Sequence, residues 1–146
     1  MKSLPLGIQT FRDLILRNYV YIDKTRYIYN LFVNGGKYYF ISRPRRFGKS
    51  LLISTLREIF SANQELFKGL WIYEKIQWEK HPIIHLDFSK TSYGSPDILV
   101  KSLDAKILKI AADFEVTVDS SLPYKDKFGE LIEKLSQKGK VVIRSG

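Results

Sequence analysis

Residues 37–60 contain the feature that most constrains the fold of this chain. Residues 37–42 are rich in aromatic and β-branched side chains and lie between a glycine pair and a proline, which predicts a buried strand. Beyond Gly48, apolar side chains recur at helical spacing, and a polar segment at 61–63 ends the helix. These apolar positions are Leu51, Leu52, Leu56, Ile59 and Phe60. The sequence therefore predicts a strand, a basic loop and a helix in direct succession.

The basic loop, residues 42–50, reads Ser-Arg-Pro-Arg-Arg-Phe-Gly-Lys-Ser and ends on the second half of the P-loop pattern Gly-x-x-x-x-Gly-Lys-[Ser/Thr]. In that pattern backbone N–H groups surround phosphates. Gly48 would let the backbone approach the nucleotide, Lys49 would bind the β- and γ-phosphate oxygens, and Ser50 would coordinate Mg²⁺. We therefore expect ATP and Mg²⁺ as ligands. The expected nucleotide contacts are Arg45, Arg46, Phe47, Gly48, Lys49, Ser50 and Leu51.

The loop departs from the strict pattern at its start, where Arg43 replaces the first glycine and Pro44 follows. A Gly-Lys-[Ser/Thr] triplet alone would occur by chance in roughly 5 to 10% of chains this long. The strand expected before the loop and the helix expected after it favour a P-loop over a lysine-capped turn. For Arg45 and Arg46 the sequence leaves three readings open: phosphate contacts, contacts with nucleic acid or a neighbouring subunit's nucleotide, or a solvated basic loop.

The remaining elements alternate between helices and strands. Short helices are expected at 10–16 and up to Val33, the second capped by Asp23 or Thr25, with an extended piece at 19–22 between them. A strand at 82–88 precedes a helix that opens at Ser95, and a helix at 127–137 leads into a strand at 140–143. This order predicts an α/β fold, a P-loop NTPase-like three-layer sandwich with a mostly parallel sheet.

The amino-acid composition limits the number of domains and the classes of partner and metal site that this chain can have. With 146 residues, 45% of them hydrophobic, the chain suits one domain. Its net charge of +9 favours polyanions, so nucleotide phosphates and nucleic acid both qualify as partners. Without cysteine, thiolate metal sites are excluded. No apolar stretch of about 18 residues occurs, so we expect no membrane partner and a cytoplasmic location.

We expect Lys101, Lys106 and Lys109 to form a solvated helix face, and His85 to be a half-buried strand residue.

The sequence resembles the AAA-ATPase-like family of bacterial and archaeal proteins, which often carry a PD-(D/E)xK nuclease-like domain downstream. The resemblance rests on residues 4–9 (Leu-Pro-Leu-Gly-Ile-Gln), 21–25 (Tyr-Ile-Asp-Lys-Thr), 37–52 and 81–89. In that family the Arg-Pro-Arg-Arg-Phe-Gly-Lys-Ser form replaces the glycine-first loop. The family also has the Asp-Lys-Thr triplet of residues 23–25, which either lines the nucleotide pocket or caps a helix.

The resemblance also implies two acidic residues that these 146 residues do not supply. The family's third strand would continue into an apolar run ending in Asp-Glu, the Walker B carboxylates, whereas residues 141–146 read Val-Val-Ile-Arg-Ser-Gly. We therefore expect residues 1–146 to be one domain truncated at about the Walker B strand, in which hydrolysis is doubtful. Asp87 is a second-rank metal ligand, since a strand-end Asp more commonly bonds nearby backbone N–H groups.

Other partners and one alternative function follow from the same features. The resemblance implies a downstream or partner nuclease-like domain, and three strands would leave an unpaired edge through which the chain could self-associate. The alternative function is a basic nucleic-acid-binding or partner-interaction module with a degenerate nucleotide site.

Overall fold

The computed structural model describes residues 2–42, 44, 47–86 and 95–145, and within them it divides into two compact units, Met1–Lys80 and His81–Gly146. Each unit has its own hydrophobic core. Helices and a small parallel sheet occur together, which is compatible with the expected α/β class. Among the described residues, no helix combines the length and the apolar character needed to cross a membrane.

The first unit is helical in its described part. It contains α1 (Phe11–Leu16), α2 (Thr25–Val33) and α3 (Lys49–Phe60), followed by two short 3-10 helices, Gln64–Phe67 and Trp71–Glu74. Aromatic rings lie at the centre of its core, where Phe11 stacks on Phe67 with ring centroids 4.6 Å apart. The buried core residues are Phe11, Ile28, Ile59, Leu66, Phe67 and Ile72.

The second unit packs two helices with two strands. These are β1 (Ile83–Leu86), α4 (Pro96–Asp113), α5 (Tyr124–Ser136) and β2 (Val142–Ser145). The strands are parallel, with Ile83 opposite Val142, because each is followed or preceded by a helical connection rather than a tight turn. Its buried core residues are Ile84, Ile107, Ala111, Val118, Leu131 and Leu135.

Most expected elements are present. The predicted helices appear within a few residues of their expected limits, and Ser95 caps α4 by accepting the N–H of Ile98. The two strands pair in parallel, which is compatible with the expected mostly parallel sheet. Helix α5 begins three residues before the predicted start at Lys127, because the turn residue Pro123 sets its first turn. Of the lysines expected on a solvated helix face, Lys101 and Lys109 are exposed and Lys106 is half-buried.

Two predictions are wrong. Residues 37–42 are not a buried strand, because their backbone pairs with no strand of the described sheet and Tyr38 and Phe40 are each 93% exposed. A strand needs a neighbour to share its backbone hydrogen bonds, and within the described residues the sheet consists of β1 and β2. His85 is exposed rather than half-buried, since the alternation along β1 turns Ile84 inward instead. The three-layer sandwich remains a prediction.

Candidate functional site

The candidate site is the junction between the basic loop and α3. The N–H of Phe47 donates to the carbonyl of Pro44 at 3.4 Å. Gly48 follows with φ 77° and ψ 14°, the left-handed conformation, and α3 begins at Lys49. Glycine suits this position because a Cβ would strain the backbone. An ideal Cβ built on Gly48 would meet no atom of the described residues within 4 Å, so these residues leave the space beside it open.

The first turn of α3 presents backbone donors. Its first i→i−4 hydrogen bond runs from Leu52 N to Gly48 O at 2.9 Å, so the preceding N–H groups of residues 48–51 have no intrahelical acceptor. Among the described residues no side chain caps this end, and the first turn of α3 contains no acidic residue. Unsatisfied N–H groups and the helix dipole together favour an anion at such an end.

Two functional side chains extend from this turn. Lys49 and Ser50 are both exposed, and neither the ammonium nor the hydroxyl has a hydrogen-bond or ion-pair partner in the part of the chain that the structure describes. Phe47 is 64% exposed beside them, and Leu51 is half-buried against the core of the first unit. The charged and polar groups of the first turn are therefore available to a ligand, while its apolar residue holds the helix in place.

Hydrogen bonds join α3 to α1 at two positions along α3, Ser54 and Glu58. The hydroxyl of Ser54 accepts the N–H of Phe11 at 2.8 Å and donates to the carbonyl of Leu51 at 2.8 Å. One turn further on, the buried carboxylate of Glu58 accepts two hydrogen bonds from Arg12, at 3.2 and 2.9 Å. The hydrogen bond to Glu58 and the charge of that carboxylate raise the pKa of Arg12. These contacts fix the direction in which the first turn of α3 points.

Sequence reasoning missed Arg12, Ser54 and Glu58 as positioning residues. The structure buries Glu58 at 8% exposure, and a buried carboxylate is almost always paired, but this burial is a tertiary finding that the sequence did not indicate. The identity of its partner had no local signal, because Arg12 lies 46 residues earlier in the chain.

Asp23 and Thr25 bind N–H groups at the starts of α2 and of the second 3-10 helix, while the N-cap residue of α2, Lys24, makes no capping bond with its side chain. One carboxylate oxygen of Asp23 accepts the N–H and hydroxyl of Thr25 at 2.8 and 2.6 Å, and the other accepts the N–H of Trp71 at 2.7 Å. The Thr25 hydroxyl in turn accepts the N–H of Ile72 at 3.2 Å. Burial pushes the pKa of Asp23 upward, but the hydrogen bonds from Thr25 and Trp71 outweigh it, and the pKa lies below its usual value. Of the two readings of this triplet, the structure supports capping.

Three of the expected site residues lie outside the described residues: Arg45 and Arg46 in the loop, and Asp87 after β1. The described residues bring Phe47, Gly48, Lys49, Ser50 and Leu51 together at one helix end. Within them no group of three or more His, Asp or Glu side chains could hold a metal ion. A Mg²⁺ ion at this site would therefore depend on phosphate oxygens and water together with the Ser50 hydroxyl, which is the usual mode for this ion.

Comparison with known proteins decides the family. The family model described as "Predicted AAA-ATPase" matches residues 5–143. The chain belongs to this AAA-ATPase-like family. It is 36% identical over 143 residues to the "Uncharacterized protein in vnfD 5'region" of Azotobacter chroococcum mcd 1, an alignment that covers 94% of this chain and 27% of that protein. The AAA-ATPase-like chain thus spans about a quarter of that relative's length. No solved structure gives a significant match.

Proposed function

We propose that this AAA-ATPase-like chain binds ATP together with Mg²⁺ through residues 45–51. The observation that carries the proposal is the first turn of α3: a left-handed Gly48, an uncapped set of N–H groups, and Lys49 and Ser50 with no competing partner among the described residues. Membership of the family supports nucleotide binding as the general activity. The residues present fit the group, since the open space beside Gly48 leaves room for phosphate where a Cβ would stand.

Each residue of the loop has a distinct role in this proposal. The N–H groups of residues 48–51 donate to phosphate oxygens, and Gly48 permits their close approach. Lys49 places a positive charge against the β- and γ-phosphates. Arg45 and Arg46 add positive charge, the exposed Phe47 adjoins the glycine, and Leu51 contributes its backbone N–H while its side chain packs against the core.

The proposed metal ligand of this site is Ser50, and Asp87, in the second unit, stays a second-rank prediction from the sequence alone. Mg²⁺ takes octahedral oxygen ligands and keeps several waters, so one hydroxyl and two phosphate oxygens are enough to place it. When bound, the ion neutralises phosphate charge. Ser50 orients the ion because its hydroxyl lies on the first turn, next to the backbone donors.

We propose binding rather than turnover for residues 1–146, taken as a single P-loop domain. Hydrolysis needs a carboxylate that anchors the metal through water and one that activates the attacking water. These 146 residues contain no Asp-Glu pair of the kind the family's Walker B strand would supply. A downstream or partner nuclease-like domain is the further partner that the resemblance suggests. Self-association through an unpaired sheet edge and a cytoplasmic location remain proposals from the sequence.

Calorimetry with Lys49→Ala tests the proposal. Charge-assisted hydrogen bonds contribute about 1.5–3 kcal/mol, so ATP affinity in Mg²⁺ should fall about 10- to 150-fold while the circular dichroism spectrum is kept. Lys101→Ala is the control, since Lys101 is an exposed lysine on α4. A wild-type ATP affinity in Lys49→Ala would rule the P-loop assignment out.

A second arm addresses the metal. Ser50→Ala should weaken ATP binding in Mg²⁺ and leave binding in EDTA unchanged, because only the metal-bound complex uses the hydroxyl. Ser54→Ala is the matched control on the same helix, where loss of the Phe11 contact lowers stability without changing the Mg²⁺ dependence. Phosphate release well above background from the 146-residue chain would contradict the binding-only proposal.

A further inference from the structure

Positive charge is unequally divided between the two units. Residues 1–80 contain 14 Lys and Arg against 6 Asp and Glu, whereas residues 81–146 contain 10 against 9. The loop proposed to bind ATP accounts for four of those 14 cations, at 43, 45, 46 and 49. Ten basic residues against six acidic ones therefore remain elsewhere in the first unit, and they require a separate explanation.

Two of the remaining cations lie against one tryptophan. The guanidinium carbon of Arg26 is 6.0 Å from the ring centroid of Trp71, and the ammonium of Lys75 is 5.8 Å from it. Both distances are within the range of cation–π attraction. Neither cation forms an ion pair with a carboxylate within the described residues. The group of Arg26, Trp71 and Lys75 is called the Trp71 surface below.

The Trp71 side chain is partly exposed, and contacts with neighbouring residues restrict its position. It remains 39% exposed, Tyr29 meets it edge-on with centroids 5.3 Å apart, and its backbone N–H is bound by Asp23 at 2.7 Å. The neighbouring N–H of Ile72 is bound by Thr25. A ring fixed from several sides loses little conformational entropy when a flat partner stacks on it, which favours binding.

Two described carboxylates adjoin this surface: Asp23 through its bond to the Trp71 N–H, and Glu74 through its place next to Lys75 in the sequence. Both oxygens of Asp23 already accept hydrogen bonds from Thr25 and Trp71, so this carboxylate is committed to the fold rather than to either cation. Glu74 is exposed at the end of the 3-10 helix, directly before Lys75. The two cations therefore stay available to an anionic partner.

We propose that the Trp71 surface binds single-stranded nucleic acid, with a base stacked on Trp71 in place of a cation now over the ring, and adjacent phosphates paired with Arg26 and Lys75. An aromatic ring beside unpaired cations is the recurring arrangement for this ligand, since every base offers a π-face and every nucleotide carries a phosphate. Duplex bases are stacked on one another and offer grooves instead of faces, so a duplex would use the cations and not the ring. This site is distinct from the proposed ATP loop and goes beyond it.

Fluorescence anisotropy with a labelled oligothymidine of about 20 nucleotides tests the proposal, because such a strand exceeds a site of roughly 4–16 nucleotides. Trp71→Ala should weaken binding by about 5- to 150-fold, given stacking of about 1–3 kcal/mol per base. Arg26→Gln and Lys75→Gln should each weaken binding and lower the slope of log affinity against log salt by about 0.7. A duplex of equal length should bind wild type and Trp71→Ala alike.

Controls separate the ring from general charge. Arg17→Gln removes an equal charge from the first unit at the C-cap of α1, and Lys101→Gln removes one from the second. Each should change the affinity less than about twofold. Trp71→Phe keeps an aromatic ring in case the alanine variant misfolds, and it should bind more tightly than Trp71→Ala. In wild type the oligonucleotide should quench tryptophan fluorescence, and Trp71→Phe should lose this quenching. The emission of Trp78 serves as the internal reference.

Several outcomes would overturn the inference. Wild-type affinity in Trp71→Ala, or an equal loss for single strand and duplex, would leave charge alone as the cause. A Trp71-dependent attachment to phosphatidylcholine–phosphatidylserine vesicles without oligonucleotide binding would assign the surface to a membrane instead. Lys49→Ala should retain the Trp71-dependent share of binding, so failure of the ATP proposal and failure of this one give different results.

Discussion

Arg12 and Glu58 join α1 to the far end of α3 through two hydrogen bonds, from Nε to Oε1 at 3.2 Å and from Nη2 to Oε2 at 2.9 Å. Asn63 donates a third to Oε2 at 2.5 Å. The Arg12 side chain is 49% exposed and that of Glu58 only 10%. The pair therefore matters mainly because it satisfies a buried carboxylate, not because of surface attraction.

Arg12→Ala should lower the free energy of unfolding by about 1–3 kcal/mol, because it leaves the buried Glu58 carboxylate with fewer donors. Urea denaturation followed by circular dichroism measures the change. Arg17→Ala removes an exposed arginine at the C-cap of α1, and its free energy of unfolding should stay within about 0.5 kcal/mol of wild type. Equal stability of the two variants would show that the Glu58 carboxylate does not need Arg12.

Gly48→Ala should affect ATP binding more than folding. The left-handed φ of 77° costs an alanine about 1–2 kcal/mol, but no atom within 4 Å would clash with its Cβ, so the fold persists. The same Cβ would occupy the space where phosphate approaches the backbone, and calorimetry should show an added affinity loss of about tenfold or more.

Gly35→Ala is the matched control for Gly48→Ala. Gly35 also has a positive φ, 65°, and open space around a Cβ, but it lies after α2 and outside the loop. The control should share the strain and keep the ATP affinity. If both variants lost affinity equally, backbone strain and not phosphate contact would be responsible.

Tyr21 should make the first unit sensitive to alkali. Burial raises its pKa to about 12, the charge of Asp23 adds to the rise, and a side-chain hydrogen bond with Thr55 opposes it. Since the folded pKa exceeds the unfolded value of about 10, the fold favours the neutral phenol. That stability is fully present below about pH 10 and is lost as the pH rises toward 12.

Urea denaturation between about pH 9 and 11 measures this loss, and Tyr21→Phe should reduce it. Tyr27→Phe removes a tyrosine that is 71% exposed and should leave the alkaline loss as in wild type. An identical pH dependence in wild type and Tyr21→Phe would contradict the assignment.

Local pattern predicted much of the fold. The apolar spacing from Leu51 to Phe60 predicted α3, and Ser95 before Pro96 predicted the start of α4, because periodicity and caps act within a few residues. The same reasoning failed for residues 37–42. Their aromatic composition favours a strand, but strand formation depends on a partner that composition cannot specify.

The candidate site divides in the same way. Phe47, Gly48, Lys49 and Ser50 were identifiable because the motif and the following helix are contiguous in sequence. The residues that aim the helix were not, because Phe11 meets Ser54 across 43 positions and Arg12 meets Glu58 across 46. No property of one short segment reports such a pairing.

The sequence by itself determined the helices, the glycine that opens the first turn of α3, the parallel order of β1 and β2, and membership of the AAA-ATPase-like family. Only the tertiary structure decided that Asp23 and Thr25 bind the N–H groups of Trp71 and Ile72, and that Arg26 and Lys75 reach the Trp71 ring. The physical reason is the distance along the chain over which each interaction acts. Propensity, capping and motif chemistry act along a few consecutive residues, whereas these contacts join side chains brought together by burial of a common core.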